Sequence, residues 1–258
     1  MEHQKIIDYI VQWLKSYSDK ASIDGFVVGI SGGIDSAVTS SLCALTGKKV
    51  IVVSMPILQP NDQLNRSSEH IEWLKNQYTN VVDLEIDLTE LFNTSIKSYP
   101  QEIQDELTMA NVRARLRMTT LYAIAGHYGL LVAGTGNKVE DFGVGFFTKY
   151  GDGGVDISPI ADLLKTEVFE IAVHLNILDS ILNAKPTDGL WGDDRSDEDQ
   201  LGATYPELEW AMNYIGVNSD ASISEREKEV LKIFKKLNKV NQHKMNPIPV
   251  CSIPKEFK

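Results

Sequence analysis

Residues 26–38 read Phe-Val-Val-Gly-Ile-Ser-Gly-Gly-Ile-Asp-Ser-Ala-Val: a strand-like apolar run, a serine–glycine turn and a helix-like apolar segment. Glycine lets a backbone come close to a ligand, and a helix N-terminus offers unpaired N–H groups and the positive end of its dipole. Serine hydroxyls add donors. Such a junction is suited to an anion. It is neither the G-x-G-x-x-G dinucleotide turn nor a Walker A loop, since no Gly-Lys-Ser/Thr closes it. Asp35 stands at the helix start, where a carboxylate repels phosphate unless a divalent cation bridges the two. Mg²⁺ typically binds one or two carboxylates together with substrate phosphates. The turn therefore predicts a metal–nucleotide site, against the plainer alternative of a tight strand–helix turn with no ligand.

The pattern around the turn sets the fold class. Ile6, Ile7, Ile10, Val11 and Leu14 have helical spacing over residues 4–17. Continuous Val/Ile runs predict strands at 26–30, 49–55 and 130–135, and an alternating run predicts one at 81–87. Helices are expected over 34–45, 62–77, 101–128, from near Lys165, and over 206–213 and 223–239. Buried strands alternating with helices imply an α/β fold: a doubly wound, mostly parallel sheet with helices on both faces. In such sheets ligands sit beyond the carboxyl ends of the strands. Ser31–Ser36 and Thr135–Glu140 then share one rim. Residues 141–158 hold five glycines and are expected to form a long ordered loop, and residues 185–200 an acidic one. No internal repeat or domain break is visible, so residues 1–258 are expected to form a single domain.

Composition narrows the function classes. A net charge of −11 and the lack of a basic stripe disfavour nucleic acid as the main partner. Cys43 and Cys251 make neither a disulfide framework nor a zinc pattern. No apolar run approaches the roughly 18 residues of a membrane span, and the N-terminus does not read as a signal peptide. The expectation is a cytoplasmic protein without a membrane partner.

Ser31-Gly32-Gly33-Ile34-Asp35-Ser36 resembles the SGGxDS pyrophosphate loop of the ATP pyrophosphatases, which cleave ATP between its α and β phosphates. Five further stretches follow in order: NVRARLRM (111–118), GTGNKVE (134–140), GFFTKYGDGGVDISPIADLLKTEVF (145–169), KPTDGLW (185–191) and HK (243–244). With them the chain resembles the ammonia-dependent NAD synthetases from about residue 20 onward. The resemblance implies an adenine nucleotide alpha hydrolase-like fold and a homodimer. It implies formation of NAD, AMP and pyrophosphate from deamido-NAD, ATP and ammonia, through an acyl adenylate, with Mg²⁺ as cofactor. Glutamine-using relatives carry an amidase domain with a nucleophilic cysteine. Here there is no room for one, and Cys43 and Cys251 lie in poor contexts, so free ammonia or a separate glutaminase is expected.

The resemblance assigns ATP to Gly29, Ile30, Ser31, Gly32, Gly33, Ile34, Asp35 and Ser36, with Thr135, Lys165 and Thr187, and the metal to Asp35 and Glu140. It assigns deamido-NAD to Arg115, Phe146, Lys149, Asp156, His243 and Lys244. It casts Asp35 and Lys165 in catalysis, and Asp152 as the holder of incoming ammonia. Residue chemistry leaves alternatives beside several of these. Lys165 opening a helix opposes the dipole by about 0.3–1 kcal/mol, a conflict that a bound triphosphate reverses, unless the helix starts at Ser158-Pro159. On the 101–128 helix, Arg113 and Arg117 share a side and Arg115 points nearly opposite. Asp152 alternatively shapes a glycine-rich turn. Phe146 and Phe147 are alternatively loop anchors. The acidic run Asp193–Asp199 is usually a solvated face, and here it is expected to form a mobile lid with Thr187 at its base. The segment after the second strand is only loosely family-like, and Met55 is its one candidate contact, through its backbone. Rival readings are another ATP pyrophosphatase, such as a GMP synthetase fragment or a tRNA-modifying enzyme, and a non-catalytic nucleotide sensor.

Overall fold

The computed structural model describes residues 1–59, 61–187, 196–215 and 223–258. Its elements run α1 (His3–Ala21), β1 (Gly25–Gly29), α2 (Ile34–Leu45), β2 (Lys49–Ser54), α3 (Asn61–Gln77), β3 (Val81–Glu85), α4 (Thr89–Ser98), α5 (Glu106–Tyr128) and β4 (Leu131–Val132). A π-helical turn (Val139–Val144) follows, then α6 (Lys165–His174), α7 (Asp179–Leu182), α8 (Asp197–Leu201), α9 (Tyr205–Ile215) and α10 (Glu225–Met245).

The strands form a four-stranded parallel sheet in the order β3-β2-β1-β4. Side chains alternate across a pleated strand. Phe26, Val28, Val50 and Val52 thus face one way, onto a core that takes in Leu14 of α1, Val38 and Leu42 of α2, and Val168 and Ile171 of α6. Val27, Ile51 and Val53 face the other way, onto Phe92 of α4 and Met109, Ile124 and Ala125 of α5. Both faces are covered, as the unbroken apolar runs require. A third cluster joins Val139 and Val144 of the π turn to Leu208 of α9 and Phe234 of α10. Among the described residues no helix is long and apolar enough to cross a membrane.

Several boundaries differ from the sequence expectation. The strand expected over 130–135 ladders only at Leu131–Val132, because the backbone beyond turns to residues 156–157 instead. Gly134 N–H donates to Ile157 O at 2.8 Å, and Asp156 N–H to Val132 O at 3.0 Å. The helix expected over 101–128 is broken by Asp105, whose carboxylate caps α5 by accepting from Thr108 N–H at 3.0 Å. Residues 101–103 before it form only a 3₁₀ turn. Helix α4 lies in a stretch where no element was expected. The loop expected over 141–158 opens with the π turn. Helix α10 runs to Met245, so His243 and Lys244 sit on its last turn. In the segment expected to form the acidic lid, residues 188–195 lie outside the described residues, and α8 begins at Asp197 behind its Ser196 cap.

Candidate active site

The strand order reverses at β1, which has β2 on one side and β4 on the other. At the carboxyl ends of β1 and β4 opens a cleft of about 240 Å³. The serine–glycine turn forms its floor. Gly32 has φ +82°, and a Cβ there would stand 2.6 Å from the backbone oxygen of Gln63, so only glycine fits. Gly33 then caps α2. Ser31 and Ser36 brace the turn through their hydroxyls, 3.1 Å apart, while Ser36 Oγ donates to Gly33 O at 2.9 Å. Helix α3 supports it from outside: Ser67 Oγ donates to Ile30 O at 3.1 Å, and Arg66 Nε to Gly32 O at 3.3 Å.

Three charged groups from distant parts of the chain meet above this floor. Lys165 Nζ donates to Asp35 Oδ2 at 2.5 Å and to Glu140 Oε1 at 3.2 Å. Lys165 is buried. Burial alone would lower its pKa, but the two carboxylates outweigh that and hold the ammonium above its usual range. Burial pushes the Asp35 carboxyl up, against the pull of Lys165. Asn137, fully buried, donates to Asp35 Oδ1 at 3.3 Å and accepts from the N–H groups of Val139 and Glu140 at 3.1 and 3.2 Å. It thereby ties the start of the π turn to the start of α2. Single π turns inside helices often mark functional sites.

Helix α6 does begin at Lys165, not at Ser158-Pro159. Two carboxylates offset the cation at its positive end: Glu167 accepts from Leu164 N–H at 2.8 Å, and Glu209 from Thr166 N–H at 2.9 Å.

The oxygens of Asp35 and Glu140 converge on one ammonium, so the geometry serves a single cation. Among the described residues no group of three or more His, Cys, Asp or Glu side chains is placed to hold a metal. Two hard oxygen ligands, with the remainder left to phosphate and water, fit Mg²⁺ shared with a nucleotide.

Of the residues assigned from sequence, Gly29, Ile30, Ser31, Asp35, Ser36, Thr135, Glu140, Phe146, Asp152, Lys165 and Thr187 line the cleft. Gly32, Gly33 and Ile34 line a second recess, of about 290 Å³, behind the turn. Arg115, Lys149, His243 and Lys244 stand outside the cleft but close together. Arg115 Nη2 donates to Lys149 O at 3.4 Å, Lys149 Nζ to His243 O, and Lys244 Nζ to Phe147 O at 2.7 Å. Asp156 is apart from both groups. Its carboxylate accepts from Tyr122 Oη at 3.0 Å and from Val132 N–H at 2.8 Å.

Asp152 lines the cleft and also shapes its turn, accepting from Thr148 N–H at 3.0 Å. Desolvation pushes its carboxyl up to about 6. Arg117, opposite Arg115 on α5, lines the cleft and donates to Met55 O at 3.1 Å. Arg113 lies over the Phe92 ring, 4.6 Å from its centroid.

Sequence reasoning missed Asn137, although it lies within the quoted GTGNKVE stretch. It missed Asp141, whose carboxyl lines the cleft and is pushed up to about 8, first by burial and then by Glu140, Asp152 and Asp35. The Asp141 carboxylate packs against Gly136, where a Cβ would stand 2.2 Å from its oxygens unless that side chain shifted. It also missed Tyr205 and Glu209, which belong to no quoted stretch.

Comparison with known proteins agrees with this geometry. A family model for NAD synthase matches residues 6–248. The chain is 37% identical to an NH(3)-dependent NAD(+) synthetase of Mesoplasma florum, covering 100% of this chain and 99% of that one. It is 36% identical to the same enzyme of Methanosarcina acetivorans, covering 97% and 98%. Among solved structures it resembles the NMN synthetase of Francisella tularensis, with 30% identity, a TM-score of 0.85 and 99% of each chain covered. An Asp–Glu pair gathered on one lysine above an SGGIDS turn, and near-full-length likeness to these enzymes, lead to one assignment: the chain belongs to the NAD synthase family.

Proposed function

We propose that this enzyme makes NAD from deamido-NAD, ATP and ammonia, releasing AMP and pyrophosphate. The observation that carries the reading is the meeting of Asp35, Glu140 and Lys165 above the serine–glycine turn.

A carboxylate does not condense with ammonia at neutral pH, because hydroxide is too poor a leaving group. The nicotinate carboxylate first attacks the α-phosphorus of ATP in line, and pyrophosphate leaves. Positioning is the protein's main task in that step. The serine–glycine turn and the start of α2 would receive the departing phosphates, with Lys165 beside them. Mg²⁺ held by Asp35 and Glu140 would offset phosphate charge. Ammonia then attacks the acyl carbon of the adenylate and AMP departs. Phe146 and Phe147 line the cleft and supply apolar walls that disfavour water, the competing nucleophile. Asp152, which lines the same cleft, would accept a hydrogen bond from ammonia. Arg115, Lys149 and Lys244 form a cationic group, with His243 beside them, that would suit the phosphates of the dinucleotide.

Ammonia as the direct donor is supported by the cysteines. Cys43 is buried and burial raises its thiol, while Cys251 lies in the exposed tail. Use of ATP fits a cytoplasmic enzyme. Leu91, Tyr99, Ile103 and Leu107, all exposed on or between α4 and α5, offer apolar surface for a homodimer.

The likeness to an NMN synthetase favours a second reading, in which the acid amidated is the mononucleotide. One assay separates the readings. AMP and pyrophosphate are measured with deamido-NAD, with nicotinic acid mononucleotide, and with neither, using ammonium and then glutamine as donor. The proposal expects products with deamido-NAD and ammonium. A strong preference for the mononucleotide selects the second reading, and ATP cleavage at the γ-phosphate overturns both.

A further inference from the structure

Helix α9 carries none of the sequence stretches that point to the reaction, yet two of its side chains reach the reaction centre. Tyr205, its first residue, is buried. Its hydroxyl donates to Glu140 Oε1 at 2.6 Å and lies 3.4 Å from Asp197 Oδ2. Its ring centroid is 4.8 Å from Lys165 Nζ. Glu209 is also buried and comes one turn later on the same side of the helix. Its carboxylate accepts both the N–H of Thr166, at 2.9 Å, and the hydroxyl of Thr166, at 2.7 Å. Thr166 directly follows Lys165.

Two contacts one turn apart therefore act on the two ends of a single ion pair. One orients the carboxylate of Glu140. The other fixes the first turn of α6, from which Lys165 projects. Core packing alone would be served by phenylalanine at 205 and by an apolar residue at 209. Instead each carries a polar group whose partner is Glu140 or the neighbour of Lys165. Groups that hold metal ligands commonly change metal affinity 10- to 100-fold when removed.

We propose that Tyr205 and Glu209 are positioning residues: from one face of α9, Tyr205 sets Glu140 for the cation and Glu209 sets Lys165 for phosphate. This rests on the reading of the site as a cation-assisted adenylation centre. Neither residue lines the cleft.

The test uses the full chain. Mn²⁺ binding is followed by electron paramagnetic resonance with α,β-methylene-ATP present, alongside pyrophosphate release and thermal melting. Tyr205→Phe keeps the ring and removes only the hydroxyl. It is expected to weaken Mn²⁺ binding and raise half-saturating Mg²⁺ by about tenfold or more, with the KM for deamido-NAD unchanged. Glu209→Gln is expected to lower the rate of pyrophosphate release about tenfold while Mn²⁺ affinity stays within about twofold of wild type. Each variant should melt within about 2 °C of wild type. If Glu209→Gln melts lower, Thr166→Val removes the hydroxyl half of the same contact and is read in its place. Wild-type Mn²⁺ affinity in Tyr205→Phe overturns the proposal, as does an equal loss of metal affinity in both variants. Failure of the wild type itself to bind Mn²⁺ with nucleotide or to release pyrophosphate overturns the functional reading and this proposal together.

Discussion

Replacing Lys165 with methionine keeps most of the side chain's volume and removes its charge. Its ammonium is the counter-ion of both Asp35 and Glu140, and all three side chains are largely shielded from solvent. Breaking a buried ion pair by deleting one partner costs about 3–5 kcal/mol. The cleft admits water to these carboxylates, so the lower end applies, about 3 kcal/mol. For a chain of 258 residues, 1 kcal/mol corresponds to about 2 °C, so the variant should melt about 6 °C below wild type at pH 8. The pH dependence gives a sharper check. Without the ammonium, burial and the neighbouring Glu140 hold the folded pKa of Asp35 above its unfolded value. Such a group causes no loss below the unfolded carboxyl pKa of about 4, and the loss grows as pH rises toward the folded value. The gap between variant and wild type should therefore shrink on acidification. Scanning calorimetry at pH 8, 6 and 4.5 measures it. A variant that melts like wild type at pH 8, or one with the same deficit at all three values, would refute the counter-ion role.

His70 provides a second pH test. It is fully buried beside Ser40, its Nε2 2.9 Å from Ser40 Oγ, and burial pulls its pKa down to about 4. The folded state holds it neutral, so its contribution is complete above about pH 6.5 and declines as pH falls from there to about 4. The expected loss over that window is about 3 kcal/mol. In His70→Gln the acid limb of urea-measured stability should flatten by that amount, and an unchanged limb would count against the assignment. Asp35→Ala should abolish pyrophosphate release while circular dichroism stays that of the wild type; normal turnover would remove Asp35 from the reaction. Arg115→Ala should raise the KM for deamido-NAD several-fold and that for ATP less. The reverse order would move Arg115 away from the dinucleotide and bring Arg117, which lines the cleft, forward in its place.

The parts of the fold that follow from local periodicity could be read from the sequence. The α2 helix begins and ends where its apolar pattern does, at Ile34 and Leu45, because a buried helix between two buried strands carries its boundaries in its own residues. The short β4 could not be read that way. Its apolar run continues past Val132, and only the competing hydrogen bonds of residues 156–157 end the strand there. The same division holds in the site. The serine–glycine turn is legible because a local conformation, with Gly32 at φ +82°, demands particular residues in sequence. Tyr205 and Glu209 are not, since their meaning depends on partners 65 and 43 residues away. Arg115 and Arg117 fall between these cases. Their opposite directions follow from helix geometry, but which direction faces the cleft is set by how α5 packs on the sheet.

The charge balance of the cleft explains why a lysine lies between the two proposed metal ligands. Asp35, Glu140, Asp141 and Asp152 all line the space that the reading gives to a polyanion. Part of their repulsion is eased at Asp141, whose carboxyl is pushed up to about 8 by burial and the neighbouring carboxylates. Lys165 bridges Asp35 and Glu140 and offsets one of their two charges. A triphosphate arriving alone would meet these carboxylates with Lys165 already engaged by two of them. Arriving with a divalent cation, it would let Asp35 and Glu140 exchange the ammonium for the metal and free Lys165 to turn to phosphate. Glu209 holds the first turn of α6 during that exchange, so only the flexible lysine side chain has to move. ATP should therefore bind wild type far more weakly in excess chelator than with Mg²⁺. In Lys165→Met the difference should widen, because the carboxylates then have no resident counter-ion. Equal ATP affinities with and without the cation, measured by titration calorimetry, would show that the carboxylates do not face the nucleotide at all.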